Sequence, residues 1–305
     1  TFIKLLEHCD YVQMTKSPDE IYNELVEDVR EREQELQEND LSDREVTGVS
    51  RLLERPPETW ENDKKSLRTA PSVFVYEESG HEVDEQTREL LTGLDASINV
   101  LDDIIDTQDL GKREKVQLTA NAAFSGMLSF TNTPDEYRNE VQDVVTQYLT
   151  ELFQIPMVEE EEIDNIRHAE TVDGTIEPSR TSYSYRARDI DAFAQIPSLL
   201  NDKEYPNQLT EDLQNFRAKE LIIKDVHDVT RDLQDNDITP IIELMNKADS
   251  KQEAYAAVER LIESFDYSKQ GKEEYAEELD QMLPELDRGQ FYDLMDTVEQ
   301  KYSIK

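Results

Sequence analysis

The sequence predicts an all-α fold, a single large helical bundle spanning residues 1–305. Three observations carry this reading. Only 8 glycines occur in 305 residues. Runs in which β-branched and polar residues alternate are almost absent, so the period-2 signature of strands is missing. Helix starts, by contrast, recur with the right chemistry. Ser17-Pro18-Asp19-Glu20 and Thr133-Pro134-Asp135-Glu136 each supply an N-cap hydroxyl, a proline at the first helical position and a glutamate three residues after the cap. Thr239-Pro240 repeats the cap and proline, and Ser250 with Glu253 forms another capping box.

These starts, joined to apolar residues recurring every three or four positions, place helices near 18–38, 84–108, 113–130, 134–153, 158–170, 182–200, 210–235, 240–248, 250–265, 271–283 and 288–302. Residues 54–80, with Pro56, Pro57 and Pro71, and residues 171–180 read as loops or irregular segments. Short links between long helices make a bundle. No repeat of fixed period and no composition break divides the chain, so one domain is expected.

Composition narrows the function. With 71 acidic residues against 32 basic ones, the net charge is −39. Phosphates would be repelled, which excludes nucleic acid as a partner. A folded surface this acidic suits a halophilic cytosol, where salt screens self-repulsion. The single cysteine, Cys9, excludes an internal disulfide and a cysteine-rich zinc site. No apolar run approaches the ~18 residues that cross a bilayer and no signal peptide is visible, so a soluble, cytoplasmic protein is expected. Glu159-Glu160-Glu161-Glu162 reads as a solvated helix start that favours the helix dipole.

Two helices carry aspartates in a telling place. At ~100° per residue, Asp95, Asn99, Asp102 and Asp106 fall within about 60° of one another, beside the apolar stripe Leu94, Ile98, Leu101 and Ile105. Asp103 flanks the same sector. About 120 positions on, Asp225, Asp228 and Asp232 cluster in the same way beside Ile222, Val226, Val229 and Leu233. Carboxylates that border a buried face either bind cations or shift their pKa upward. Hard oxygen ligands of this kind suit Mg²⁺, completed by phosphate oxygens.

The segment DDIID (102–106) resembles the first aspartate-rich motif, DDxxD, of the class I isoprenoid synthases. Lys112-Arg113 follows it, similar to the basic pair of polyprenyl diphosphate synthases. DVTRDL (228–233) resembles the DVxxDL second motif of squalene and phytoene synthases, and the separation of the two motifs is similar too. Roughly 150 residues lie within the span of the resemblance, of which about 20 match. Where squalene and phytoene synthases carry NxxRD, this chain has Ile222-Ile223-Lys224-Asp225, and Asp235-Asn236-Asp237 stands in place of a trailing Gly-Arg.

The resemblance implies a bundle with a central cavity, in which Asp102, Asp103 and Asp106 bind Mg²⁺ from one wall and Asp228 and Asp232 from the other, with Asp225 a further ligand. These aspartates would be the catalytic set. It implies diphosphate contacts from Lys112, Arg113 and Lys224, and places Tyr183, Arg186 and Arg188 on a helix that faces substrate in related enzymes. The implied chemistry is ionisation of an allylic prenyl diphosphate, with charge on the leaving oxygens met by metal and basic side chains in a dry cavity. A homodimer is in keeping with the family, and an apolar product implies transient membrane contact. The helices around 95–108 and 217–235 are then expected to be neighbours. Two alternatives stand beside this. His227-Asp228 resembles the metal dipeptide of HD-type phosphohydrolases, with His168 as a second ligand, and a catalytically inactive helical interaction protein accounts for the same acidic helices.

Overall fold

The computed structural model describes residues 16–39, 67–106, 133, 137–152, 154–200 and 207–303, and among them no strand occurs. The all-α expectation is met. The described helices are, in chain order, α1 (Pro18–Asn39), α2 (Thr69–Glu78) and α3 (Glu85–Asp106), then α4 (Arg138–Leu152), α5 (Ile155–His168) and α6 (Val172–Arg186). A 3₁₀ segment (Ala187–Ile190) leads into α7 (Asp191–Leu200) and the long α8 (Asn207–Asp235). The C-terminal part comprises α9 (Pro240–Lys247), α10 (Lys251–Glu263), α11 (Lys269–Glu274), α12 (Ala276–Asp280) and α13 (Arg288–Ser303).

Three of the four predicted caps form, whereas the buried Thr133 hydroxyl has no hydrogen-bond partner among the described residues. Ser17 and Glu20 close a reciprocal box at α1, Ser17 N–H donating to Glu20 Oε2 at 2.9 Å and Glu20 N–H to Ser17 Oγ at 3.3 Å. The Thr239 hydroxyl accepts from Ile242 N–H, and the Ser250 hydroxyl from Glu253 N–H. At the far end of α8, Asn236 adopts φ 57°, the left-handed conformation that asparagine tolerates, and Lys301 Nζ donates to the Leu233 carbonyl.

Two apolar cores result. α1 lies along α3, presenting Ile21, Leu25 and Val29 at i, i+4 and i+8, and α2, α7 and the first half of α8 close around them. The second core gathers the last half of α8 with α6, α9, α10 and α13, around Ile222, Val226, Val229, Leu244, Leu261 and Phe291. Each such buried side chain contributes roughly 1.5–3 kcal/mol. The boundary between the cores crosses α8 between Phe216 and Ala218, and crosses the 3₁₀ segment between Ala187 and Ile190.

The structure corrects four sequence expectations. Residues 69–78, within the expected loop 54–80, are helical and buried from Thr69 to Tyr76, with Pro71 in the first turn where no N–H is missed. Residues 172–180, also expected as loop, begin α6, because the Thr171 hydroxyl caps Gly174 N–H and outweighs Gly174 and Pro178. The continuous helix 182–200 is interrupted by the 3₁₀ turn, where the Asp189 carbonyl accepts from the Tyr148 hydroxyl. The helix 271–283 is split at Tyr275 (φ −148°, ψ 0°), whose hydroxyl is held by Asp212. The helix expected at 113–130 lies outside the described residues.

Candidate functional site

The second half of α8 brings its three aspartates onto a largely buried face, as the sector reading required. Asp225 is 5% exposed and Asp232 7% exposed, with Asp228 half-buried between them. Their fates differ. Arg186 grips Asp225 with both ends of its guanidinium, Nη1 at 2.5 Å from Oδ2 and Nη2 at 3.0 Å from Oδ1. The Tyr183 hydroxyl adds a third bond to Oδ2 at 2.7 Å. Glu159 closes the cluster 3.3 Å from Arg186. Burial pushes the Glu159 carboxyl up, against the pull of Arg186, and burial with the neighbouring Asp225 pushes the Tyr183 hydroxyl well up. Tyr183, Arg186 and Asp225, assigned separate roles by the resemblance, are therefore one bonded unit.

Asp228 and Asp232 lack such a partner set. Asp228 meets Arg231 at 2.8 Å, and Asp232 lies 3.6 Å from the same nitrogen. Arg231 is mostly exposed and serves both. Burial raises the Asp228 pKa. Burial, reinforced by Asp228 and Asp225, pushes Asp232 up to about 7. Two solvent-facing cations, Arg231 and Lys224, stand against these carboxylates and do not offset the burial of Asp232, so the site stays negative.

Glu159 departs from expectation. α5 starts at Ile155, so the four glutamates sit past its first turn, and Glu159 faces Arg186 while Glu160 and Glu161 remain exposed.

On α3 the first acidic sector divides. Asp95 is fully buried, and it accepts from Thr69 N–H and the Thr69 hydroxyl, each at 2.9 Å, and from Arg68 Nη1 at 3.0 Å. Asn99 accepts from Arg68 at 3.1 Å and donates to Glu33 at 2.9 Å. Asp102, Asp103 and Asp106 occupy the last turns of α3. Their side chains lie outside the described residues, as do Lys112 and Arg113.

α3 and α8 share no extended interface among the described residues. α3 packs on α1, α2 and α7, whereas α8 packs on α2, α6, the 3₁₀ segment, α7, α9, α10 and α13, so α2 and α7 touch both. The expectation of directly neighbouring helices is corrected by what stands between them. Arg68 Nε donates to Asp189 Oδ2 at 2.8 Å, and Arg217 reaches the same carboxylate through Nη2 at 2.6 Å and Nε at 2.9 Å. Arg217 also donates to Glu220 at 2.6 Å. Burial pushes Asp189 up, but Arg217 and Arg68 together outweigh it and hold the carboxyl at about 2. Sequence reasoning missed this group. Its one signal was Arg217, set between Leu213 and Leu221 at i−4 and i+4 on an apolar stripe.

The remaining candidates sit apart from the buried face. Arg188 is partly exposed over the Tyr185 ring, and Lys224 is exposed on α8 beside Asp228. His227 and His168 each turn a ring nitrogen to a main-chain carbonyl, of Glu285 and Asp164 respectively. Among the described residues, no cluster of three or more His, Cys, Asp or Glu has metal-holding geometry, and no helix is long and apolar enough to cross a membrane.

No family model and no curated protein matches this chain. The resemblance therefore stands on the motif residues.

Proposed function

We propose that the chain is a Mg²⁺-dependent isoprenoid synthase of the class I type, a prenyl transferase that binds an allylic prenyl diphosphate between the end of α3 and the second half of α8. The single observation that carries this reading is the uncompensated pair Asp228–Asp232 on the buried edge of α8, with Asp232 held at about 7 by burial and by its acidic neighbours. Such a pair is relieved by a cation. These two residues fit Mg²⁺. Asp225 fits it poorly, since Arg186 and Tyr183 already take its lone pairs.

In this reading Asp228 and Asp232 hold metal from α8, and Asp102, Asp103 and Asp106 hold it from α3. Bound metal supplies stabilisation of the negative charge that develops on the departing diphosphate. The protein's own groups do the rest. Lys112, Arg113, Arg188 and Lys224 hold the diphosphate. Arg186 acts through Asp225, orienting the α8 face instead of reaching substrate. Both motifs lie C-terminal to the Arg68–Asp189–Arg217 tie. Asp102 is seven residues past Asp95, roughly 10 Å along the helix, and Asp225 is eight past Arg217, roughly 12 Å. A homodimer and transient membrane contact by an apolar product belong to the same proposal.

The test is incubation with labelled farnesyl and geranylgeranyl diphosphates, with and without Mg²⁺, in high salt. Metal-dependent release of pyrophosphate with an isoprenoid product is expected, and its absence with both substrates overturns the reading. A second reading is favoured by Asp95 and Asp225, both buried in internal bonds: a helical interaction protein whose aspartates serve packing alone. It predicts that Mg²⁺ and pyrophosphate leave the melting temperature unchanged.

A further inference from the structure

We propose that Asp189 is a positioning residue that sets the separation of α3 and α8, and hence of the two aspartate-rich turns; its bearing on ligand binding rests on the function proposed above. The group lies where the two apolar cores meet. On α8 the boundary falls at Arg217, and on the 3₁₀ segment it falls between Ala187 and Ile190, a stretch that holds Asp189. Five ionisable side chains are buried there. Arg68, Asp95, Asp189, Arg217 and Glu220 have side-chain exposures of 5%, 0%, 9%, 3% and 8%. Together they run from α3, through the start of α2 and the 3₁₀ segment, to α8.

Apolar contacts between the cores are non-directional and allow sliding. A guanidinium–carboxylate contact fixes distance and angle. Among the described residues Asp189 is the carboxylate that both arginines share, so it is the joint of the chain. Without its charge, Arg68 and Arg217 face each other as like charges in a dry place, each feeling the other already in the intact protein. The Tyr148 hydroxyl, bonded to the Asp189 carbonyl, fixes the backbone of that joint from α4. Buried ion pairs of this sort serve registry better than stability. Here the registry is that of two acid-bearing helices that share no extended interface among the described residues.

The experiment measures the helix separation and the binding separately. Spin labels at Glu89→Cys on α3 and Thr230→Cys on α8, both exposed positions, are placed in a Cys9→Ser background, Cys9 being the only cysteine. Pulsed dipolar spectroscopy gives the distance distribution, and titration with Mg²⁺ plus inorganic pyrophosphate in molar KCl gives affinity. Asp189→Asn is expected to shift or broaden the distribution and to weaken binding about tenfold or more, as loss of a group behind metal ligands does. Asp189→Glu keeps the charge but lengthens the joint by one methylene, and is expected to shift the distance while remaining folded. Where Asp189→Asn does not fold, this second variant decides. Asp212→Asn controls for the loss of any buried carboxylate. Asp212 is fully buried and bonded to Ser268 and Tyr275, outside the joint, and its loss is expected to lower stability and leave the distance unchanged. Distributions for the Asp189 variants identical to that of the intact protein overturn the proposal. Failure of the intact protein to bind Mg²⁺–pyrophosphate overturns the proposed function instead, and the distance arm then decides the joint alone.

Discussion

At the scale of single residues, burial converts similar aspartates into different objects. Asp189 and Asp232 are 6% and 7% exposed, yet one is held at about 2 and the other at about 7. Two buried arginines account for the first, and two acidic neighbours with one shared, exposed arginine for the second. The signs of their pH effects are opposite. Asp189 has a depressed value, so its stabilisation is present above the unfolded value of 3.8 and is lost as pH falls towards about 2. Asp232 has a raised value, so the folded state keeps a proton that the unfolded chain has released. Stability therefore falls as pH rises from 3.8 to about 7. Asp232→Asn is expected to raise stability at pH 8 without divalent metal, by on the order of 1 kcal/mol, and to change nothing below pH 4. Thermal melts at the two pH values check this, and equal melting temperatures at pH 8 would show the carboxylate to be compensated. The Ser179 and Ser182 hydroxyls make a second test. Both are buried on α6 without a hydrogen-bond partner among the described residues. Ser179→Ala should be neutral or stabilising by up to ~1 kcal/mol in denaturant unfolding, because the hydroxyl is desolvated for nothing in return.

At the scale of elements, what the sequence revealed and what it hid separate along one line. Starts whose cap is local were readable. Ser17, Thr239 and Ser250 each bond an N–H within three residues, so α1, α9 and α10 appear where expected. α2 has no such signal, since its N-cap position is Arg68 and offers no side-chain cap. Its first N–H is instead taken by Asp95, from 26 residues away on α3. Proline-rich flanks and a remote cap together make residues 69–78 look like loop. The candidate site divides in the same way. The acidic edge of α8 followed from helical spacing, whereas the Arg186–Asp225 unit and the Asp189 joint depend on which helices meet, and no spacing encodes that. Asp95→Ala should therefore act on α2 more than on α3. It removes the cap and one of the several partners of Arg68, at a cost of roughly 1–3 kcal/mol. Amide exchange of residues 69–76 is expected to accelerate before that of α3, and uniform acceleration of both helices would show Asp95 to be ordinary packing.

At the scale of the whole molecule, charge is partitioned by depth. Buried cations are all engaged by carboxylates, which outnumber them: Arg68 and Arg217 sit among Asp95, Asp189 and Glu220, and Arg186 sits between Asp225 and Glu159. Among the described residues many further carboxylates, such as Glu160, Glu161, Glu273 and Glu277, are exposed and add to the net −39 of the chain. Those repel over distances that salt controls. The screening length falls from about 10 Å at 0.1 M to about 3 Å at 1 M, shorter than the spacing of most surface charges. Buried pairs are screened far less and hold at either concentration. The melting temperature should thus rise from dilute to molar KCl, through relief of surface repulsion. Glu160→Gln with Glu161→Gln sharpens the test. This pair should raise the melting temperature in dilute buffer and lose that advantage in molar KCl, where the removed repulsion was already screened. An advantage that persists unchanged in molar salt would place these glutamates in specific unfavourable contacts, and the diffuse-charge account of the surface would fail.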